Sequence, residues 1–180
     1  MPSLLELCCG TKSISKAMRG EGWECHTVDI DARFAPDTLC DVRDYTPHKR
    51  FDFVWASPPC DSFARWQLRG LNKSITMRDG EIDDAMSIVS ACSRIAIASG
   101  GYWLLESTRG SVPFLRPALG APIEVGAGSH YIYGLPVPGF HVTPYRGAKS
   151  RRASGVGRYA YDARLVDGVR KSLVAHYGCG

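Results

Sequence analysis

Short apolar runs alternate with segments of helical period through the first 105 residues, and few architectures accept that order. Ser3–Cys8 is apolar and is ended by Gly10, as a strand buried on both faces would be. Ser13–Glu21 follows, with Ile14, Ala17 and Met18 on one face and glycines at 20 and 22, which predicts a short helix. Cys25–Ile30 alternates as a strand, and Phe51–Ser57 is the most strand-like segment, stopped by Pro58-Pro59. Ile82, Ala85, Met86, Val89, Cys92 and Ala96 then recur at helical spacing, and Gly100-Gly101 introduces another buried strand at Tyr102–Leu105. Strands separated by helices pair in parallel through right-handed crossovers, so the pattern predicts an α/β fold. Near the end, Leu165, Val166, Val169, Leu173, Val174 and Tyr177 form one stripe of a final helix. Residues 107–162 are rich in Gly and Pro and show no clear period.

A chain of 180 residues has room for one domain with a real core. No window approaches 18 apolar residues, so no membrane span is expected. The start, Met1 to Glu6, has no basic stretch before a long apolar run and does not read as a secretory signal; a cytoplasmic protein is expected. Seven cysteines at irregular spacing contain no paired C-x-x-C, which argues against zinc, and no metal is expected. Charge is uneven. Residues 1–140 carry 14 Lys/Arg against 16 Asp/Glu, whereas residues 141–180 carry 8 against 2. That basic end, with Arg146, Lys149, Arg151, Arg152 and Arg158, suits a phosphate-facing surface; charge alone is met equally by a solvated face.

In open parallel sheets, ligands sit beyond the carboxyl ends of the strands. The first strand runs into Cys8-Cys9-Gly10-Thr11-Lys12-Ser13 and then a helix, a placement that suits a loop whose backbone approaches a ligand. Asp29 stands nineteen residues after Gly10 at the tip of the second strand, where a ribose hydroxyl pair is held, and Cys40-Asp41-Val42 offers another tip carboxylate. Singly each reads as a turn or cap residue; together, at successive tips, they favour an adenosyl ligand. The full G-x-G-x-x-G of a dinucleotide site is absent.

Ser57-Pro58-Pro59-Cys60-Asp61-Ser62-Phe63 follows directly on the best strand. Two prolines fix φ and remove two backbone donors, so the chain leaves the sheet rigidly and presents Cys60 above its carboxyl edge. A nucleophilic cysteine needs thiolate character, which a loop at a helix N-terminus is expected to lend. Glu106 closes the apolar run Tyr102–Leu105 at the same edge, where a buried carboxyl needs a partner. The competing readings are a turn cysteine and a capping carboxylate.

The order of these motifs resembles that of the DNA cytosine-5 methyltransferase family, in particular the short phage-type forms that lack a large target-recognition domain. Glu6-Leu7-Cys8-Cys9-Gly10 is similar to that family's first motif, Asp-Leu-Phe-x-Gly. Val28-Asp29-Ile30-Asp31 resembles its second motif and Cys40-Asp41-Val42 its third. Pro58-Pro59-Cys60-Asp61-Ser62-Phe63 resembles Pro-Cys-x-x-Phe-Ser, the most specific of the set, and Leu105-Glu106-Ser107 stands where the family has Glu-Asn-Val. The departures are Lys12 in place of a second glycine, Ser107 in place of the asparagine, and no clear pair of arginines one residue apart, for which Arg146 or Arg151-Arg152 could substitute.

The resemblance implies a Rossmann-like class I S-adenosylmethionine-dependent methyltransferase with a mostly parallel doubly wound sheet. It divides the single domain 1–180 into a cofactor-binding and catalytic core (1–110), a reduced basic loop region for substrate (111–162) and a final helix packing on the core (163–180). S-adenosylmethionine would lie along Cys8, Cys9, Gly10, Thr11, Lys12 and Ser13, with its ribose on Asp29, its adenine near Ile30, Asp41 and Val42, and Pro58 at the reacting end. Cys60 would be the nucleophile and Glu106 its acid partner on a cytosine flipped out of DNA. Ser62, Arg65, Arg69, Arg151 and Arg152 would hold substrate, and 61–80 would close as a lid. A prokaryotic or phage-infected cell is implied, with a short or degenerate target. Rivals are the same chemistry on RNA or a free pyrimidine nucleotide, and a catalytically weak nucleic-acid-binding homologue. A nicotinamide enzyme ranks last.

Overall fold

The structure, a computed structural model, describes residues 1–72, 74, 76–124, 130–142 and 163–178. Five strands run in the first part of the chain: β1 (Ser3–Leu7), β2 (Glu24–Asp29), β3 (Thr38–Leu39), β4 (Phe53–Ala56) and β5 (Tyr102–Thr108). Between them lie α1 (Ser13–Arg19), α2 (Asp61–Leu71) and α3 (Glu81–Ser99). A 3-10 turn (Arg109–Ser111) leads into α4 (Val112–Leu119), followed by β6 (Ile123–Glu124), β7 (His130–Leu135) and α5 (Ala163–Tyr177).

The strands form one sheet in the order β3-β2-β1-β4-β5-β7-β6. All pairs from β3 to β5 are parallel, and β7 is antiparallel to both β5 and β6. This is a Rossmann-like, doubly wound sheet that is mostly parallel. Successive strand residues point to opposite faces, and both faces are covered. Leu5, Leu7, Val54, Ala56 and Leu105 pack with Phe63, Val89, Cys92, Ile95 and Leu115 of α2, α3 and α4. Leu4, Phe53, Trp55, Leu104 and Ile132 pack on the other side with Ile14 and Met18 of α1 and Leu165, Val169 and Leu173 of α5. The stripe expected of the final helix is the one that α5 buries.

Two expectations change. The span 111–162 is not all loop: α4, β6 and β7 lie within it, and β7 completes the sheet beside β5. Residues 61–71, expected as part of a lid, are the helix α2, whose Phe63 is buried in the core. Among the described residues no helix is long and apolar enough to cross a membrane.

Glu6 is the one charged side chain on β1, and it is 1% exposed. Its Oε2 accepts from the backbone N–H of Ser15 at 2.8 Å and its Oε1 from that of Ile14 at 3.4 Å, so it satisfies orphan donors in the first turn of α1. Burial nevertheless dominates and pushes its carboxyl from 4.5 up to about 7. A carboxyl raised by folding contributes stability that is complete below its unfolded value and is lost as pH rises through its folded value. Stability should therefore fall between pH 4.5 and 7 by on the order of 3 kcal/mol from this group. His26, held low chiefly by burial, acts in the opposite direction but equally in both proteins compared. The unfolding free energy of the wild type minus that of Glu6→Gln, measured in urea across that range, should rise on acidification; a difference that does not change with pH would refute the assignment.

Candidate active site

The parallel ladder puts the carboxyl ends of β1, β2, β4 and β5 at one edge. The loop leaving β1 turns there through Cys8, Gly10 and Lys12, whose φ values are 54°, 47° and 59°. Glycine enters this left-handed region freely; another residue does so at a cost of about 1–2 kcal/mol. Lys12 thus holds the conformation that suits a glycine, which the resembled motif carries at this place. Its Nζ donates to the Ala35 carbonyl at 2.8 Å and ties the loop to the turn beyond β2.

Asp29, at the tip of β2, fastens that loop from the other side. Its Oδ2 accepts from the Gly10 N–H at 2.8 Å and its Oδ1 from the Asp31 N–H at 2.9 Å. Ile30 follows it and is 69% exposed, an apolar surface left at the strand tip. Asp41 accepts from the guanidinium and backbone of Arg43, and Arg43 also reaches Asp84 on α3. Neighbouring Val42 turns its side chain into the core. Cys9 is buried, and burial pushes its thiol up to about 12. Cys8 is half-buried with its Sγ 4.0 Å from that of Cys92, which together with burial raises its thiol well above the usual range. Thr11 and Ser13 meet through their hydroxyls at 3.0 Å. Pro58 is buried.

Beyond β4, the Ser57 N–H continues the ladder by donating to the Leu7 carbonyl, and the two prolines lead to Cys60 at the head of α2. Gly110 fixes this head against the end of β5: a Cβ there would lie 2.2 Å from the Phe63 carbonyl oxygen, so only glycine admits the approach. Glu106 is 6% exposed on β5. It lies near enough to Cys60 that its carboxylate strengthens the thiol's hold on its proton. Burial is the largest cause and pushes the Cys60 thiol up to about 12, with the Glu106 and Asp61 carboxylates adding to it. The thiolate character expected from the helix N-terminus is therefore not what this geometry provides, because burial and two negative neighbours outweigh the end of one helix.

Ser107 is fully buried where the resembled motif has asparagine, and its Oγ has no hydrogen-bond partner among the described residues. Ser62 is half-buried on the first turn of α2. Arg65 pairs with the buried Glu81 at the start of α3, whereas Arg69 stands exposed on the last turn of α2. Arg146, Lys149, Arg151, Arg152 and Arg158 lie outside the described residues. Two roles near this edge escaped the sequence reading. Glu6 anchors α1 beneath the loop. His130, on β7, has Nδ1 2.6 Å from Oε1 of Glu106. Only the antiparallel return of β7 brings residue 130 to residue 106, and no local motif announces it.

No protein-family model matches the chain. A probable DNA (cytosine-5)-methyltransferase of Frog virus 3 (isolate Goorha) is 45% identical over 67 residues, covering 34% of this chain and 30% of that protein. The chain thus spans under a third of that relative's length. Among solved structures, a protein assigned as a DNA modification methyltransferase of an Escherichia coli prophage overlaps 75% of this chain and 47% of its own, with 16% identity and a TM-score of 0.49. A S-adenosylmethionine-dependent methyltransferase from Clostridium acetobutylicum overlaps 63% of this chain and 46% of its own, with 12% identity and a TM-score of 0.39. The fold assignment rests on the strand order rather than on these partial overlaps.

Electrostatic coupling between Cys60 and Glu106 has a direct readout. Iodoacetamide should label Cys60 slowly at pH 8, and Glu106→Gln should raise that rate several-fold by removing one negative neighbour, as followed by peptide mass spectrometry. An unchanged rate would show that the two groups do not share a site. By sequence, over the 67 matched residues, the chain is similar to a probable DNA (cytosine-5)-methyltransferase.

Proposed function

We propose that this chain transfers a methyl group from S-adenosylmethionine to carbon 5 of cytosine in DNA, with Cys60 as covalent nucleophile and Glu106 as the acid that holds the base. The observation that carries the reading is the convergence of a strand-tip thiol, a buried carboxyl on the next strand and a left-handed loop from β1 at one sheet edge. The printed name of the Frog virus 3 relative supports it.

The edge suits the cofactor. Exposed Ile30 offers a face for adenine, and each Asp29 oxygen, already accepting one backbone N–H, has a further lone pair for a ribose hydroxyl. The Cys8–Ser13 backbone would cradle the methionine end, with Asp41 and the Val42 backbone beside the adenine and Pro58 at the reacting side. When bound, S-adenosylmethionine supplies an electrophilic methyl group.

The chain's own residues then have to activate a poor nucleophile, cytosine C5. Cys60 gives its thiol proton to water and adds as thiolate to C6 while Glu106 gives a proton to N3 and accepts from the 4-amino group, which leaves C5 enamine-like. After methyl transfer, water takes the C5 proton, the C6–S bond breaks, and Cys60 leaves as thiolate and is reprotonated. The burial that raises the thiol also shields the adduct, and the proton passed from Glu106 to N3 leaves that adduct neutral instead of anionic. In duplex DNA the base is first flipped out at a cost of a few kcal/mol. Ser62 and Arg69 line the head and flank of α2, Arg65 braces that helix through Glu81, and Arg151 and Arg152 would meet phosphates. α4, β6 and β7 occupy much of 111–142, the span assigned to substrate, so base contacts from that span would be few and its target short or degenerate.

Incubation with labelled S-adenosylmethionine and a panel of DNA, RNA and free nucleotides tests the reading. Label should appear as 5-methylcytosine in DNA and vanish with Cys60→Ser, and Asp29→Ala should weaken cofactor binding by about 1.5–3 kcal/mol in calorimetry. Label confined to RNA or to a free nucleotide would replace the substrate. Cofactor binding with no transfer at all would make the chain a nucleic-acid-binding homologue.

A further inference from the structure

Glu106 is not alone in its pocket. His130 opens β7 opposite Thr108, one pleat along from the Glu106–Ile132 pair, so both side chains rise on the same face. Nδ1 of His130 lies 2.6 Å from Oε1 of Glu106. The carboxyl is 6% exposed, whereas the imidazole side chain is 37% exposed. One end of the pair is sealed in the sheet and the other reaches solvent. A buried carboxyl and an imidazole at this distance bind protons as a unit, and imidazole is the side chain that fills and empties near neutral pH. The titratable and charged groups on the elements packed around this tip are Cys60, Asp61 and Arg65 at the head of α2, Arg109 in the turn after β5, Arg116 on α4, Glu124 on β6, and Tyr131 and Tyr133 on β7.

We propose that His130 is the positioning residue of Glu106: it holds one carboxyl oxygen in place and stores the proton that Glu106 passes to the base. The inference rests on the proposed cytosine-5 reaction. As Cys60, its thiol proton given to water, attacks C6 as thiolate, the Nδ1–H bond of the imidazolium breaks and an O–H bond forms on Glu106. That O–H bond then breaks as N3 of the base gains the proton. The transfers reverse when Cys60 leaves, so the pair ends each turnover with the proton it began with. A carboxyl without such a partner would have to find its proton in solvent, from inside a sheet.

A pH profile of single-turnover methyl transfer separates this role from mere packing. The wild-type rate should fall on the alkaline side with an apparent pKa belonging to the pair. His130→Gln, which can still donate to Oε1 but cannot hold a proton, should move that limb to lower pH by at least one unit. It should slow transfer more than tenfold at pH 7.5, recover near pH 5.5 and leave cofactor affinity unchanged. An equal loss at every pH would overturn the proposal and leave His130 a packing residue. Without any His130 variant, the NMR titration of its imidazole in the intact chain should move to lower pH in Glu106→Gln; an unmoved titration would equally overturn it. A wild type that transfers no methyl group at any pH would instead overturn the reading of the reaction, and the role of His130 with it.

Discussion

Parallel hydrogen bonding from β2 through β1 and β4 to β5 is the constraint on which the rest depends. Parallel pairing turns every strand the same way, so the residues that end β1, β2, β4 and β5 must share one edge. The strands can afford this only because both faces are covered: β1 and β4 are buried along their whole length. α3 and α4 lie on one side, α1 and α5 on the other. A loop at residues 8–13, an acid at 29, a thiol at 60 and a carboxyl at 106 therefore meet although nearly a hundred residues separate the first from the last.

Within that edge, geometry is held by groups that do no chemistry themselves. Glu6 caps the first turn of α1 from below, Asp29 and Lys12 pin the loop from its two sides, and Gly110 lets the Phe63 backbone close on the end of β5. The same enclosure sets the electrostatics. Burial of Cys60 raises its thiol, and the Glu106 carboxylate raises it further, so the thiol stays protonated at rest. A proton transfer that neutralises Glu106 or places cationic charge on a base would relieve one of those causes at the moment of attack. An unreactive resting thiol is also a protected one, since oxidants and alkylating agents act on thiolate.

The parts of this arrangement that sequence made legible are local. Alternation of apolar runs with helical periods in 3–105 is enough to specify parallel strands and crossovers, and Pro58-Pro59-Cys60 after a buried strand marks a rigid exit with a thiol on it. What was hidden is either long-range or punctuated like a loop. α4 carries Pro113 and Pro117, yet Pro113 lies in its first turn, where the missing N–H has no intrahelical partner to lose. β6 and β7 are strands only because β5 offers a free edge, which no window of residues 107–142 records. α2 lies in the span expected to close as a lid, and its Phe63 is instead seen in the core. His130 has no motif at all. The thiolate expectation failed for the same reason in reverse: a helix N-terminus is visible in sequence, but the burial that outweighs it is not.

Among seven cysteines, Cys60 is the one proposed to bond to the base. DNA carrying 5-fluorocytosine tests this most directly, because its C5 substituent cannot leave as a proton and the covalent adduct cannot resolve. Incubated with S-adenosylmethionine, the chain should become trapped on such DNA, and proteolysis followed by mass spectrometry should find the nucleotide on the peptide that contains Cys60. An adduct on Cys8, Cys9 or another cysteine, or the same adduct formed by Cys60→Ser, would contradict it.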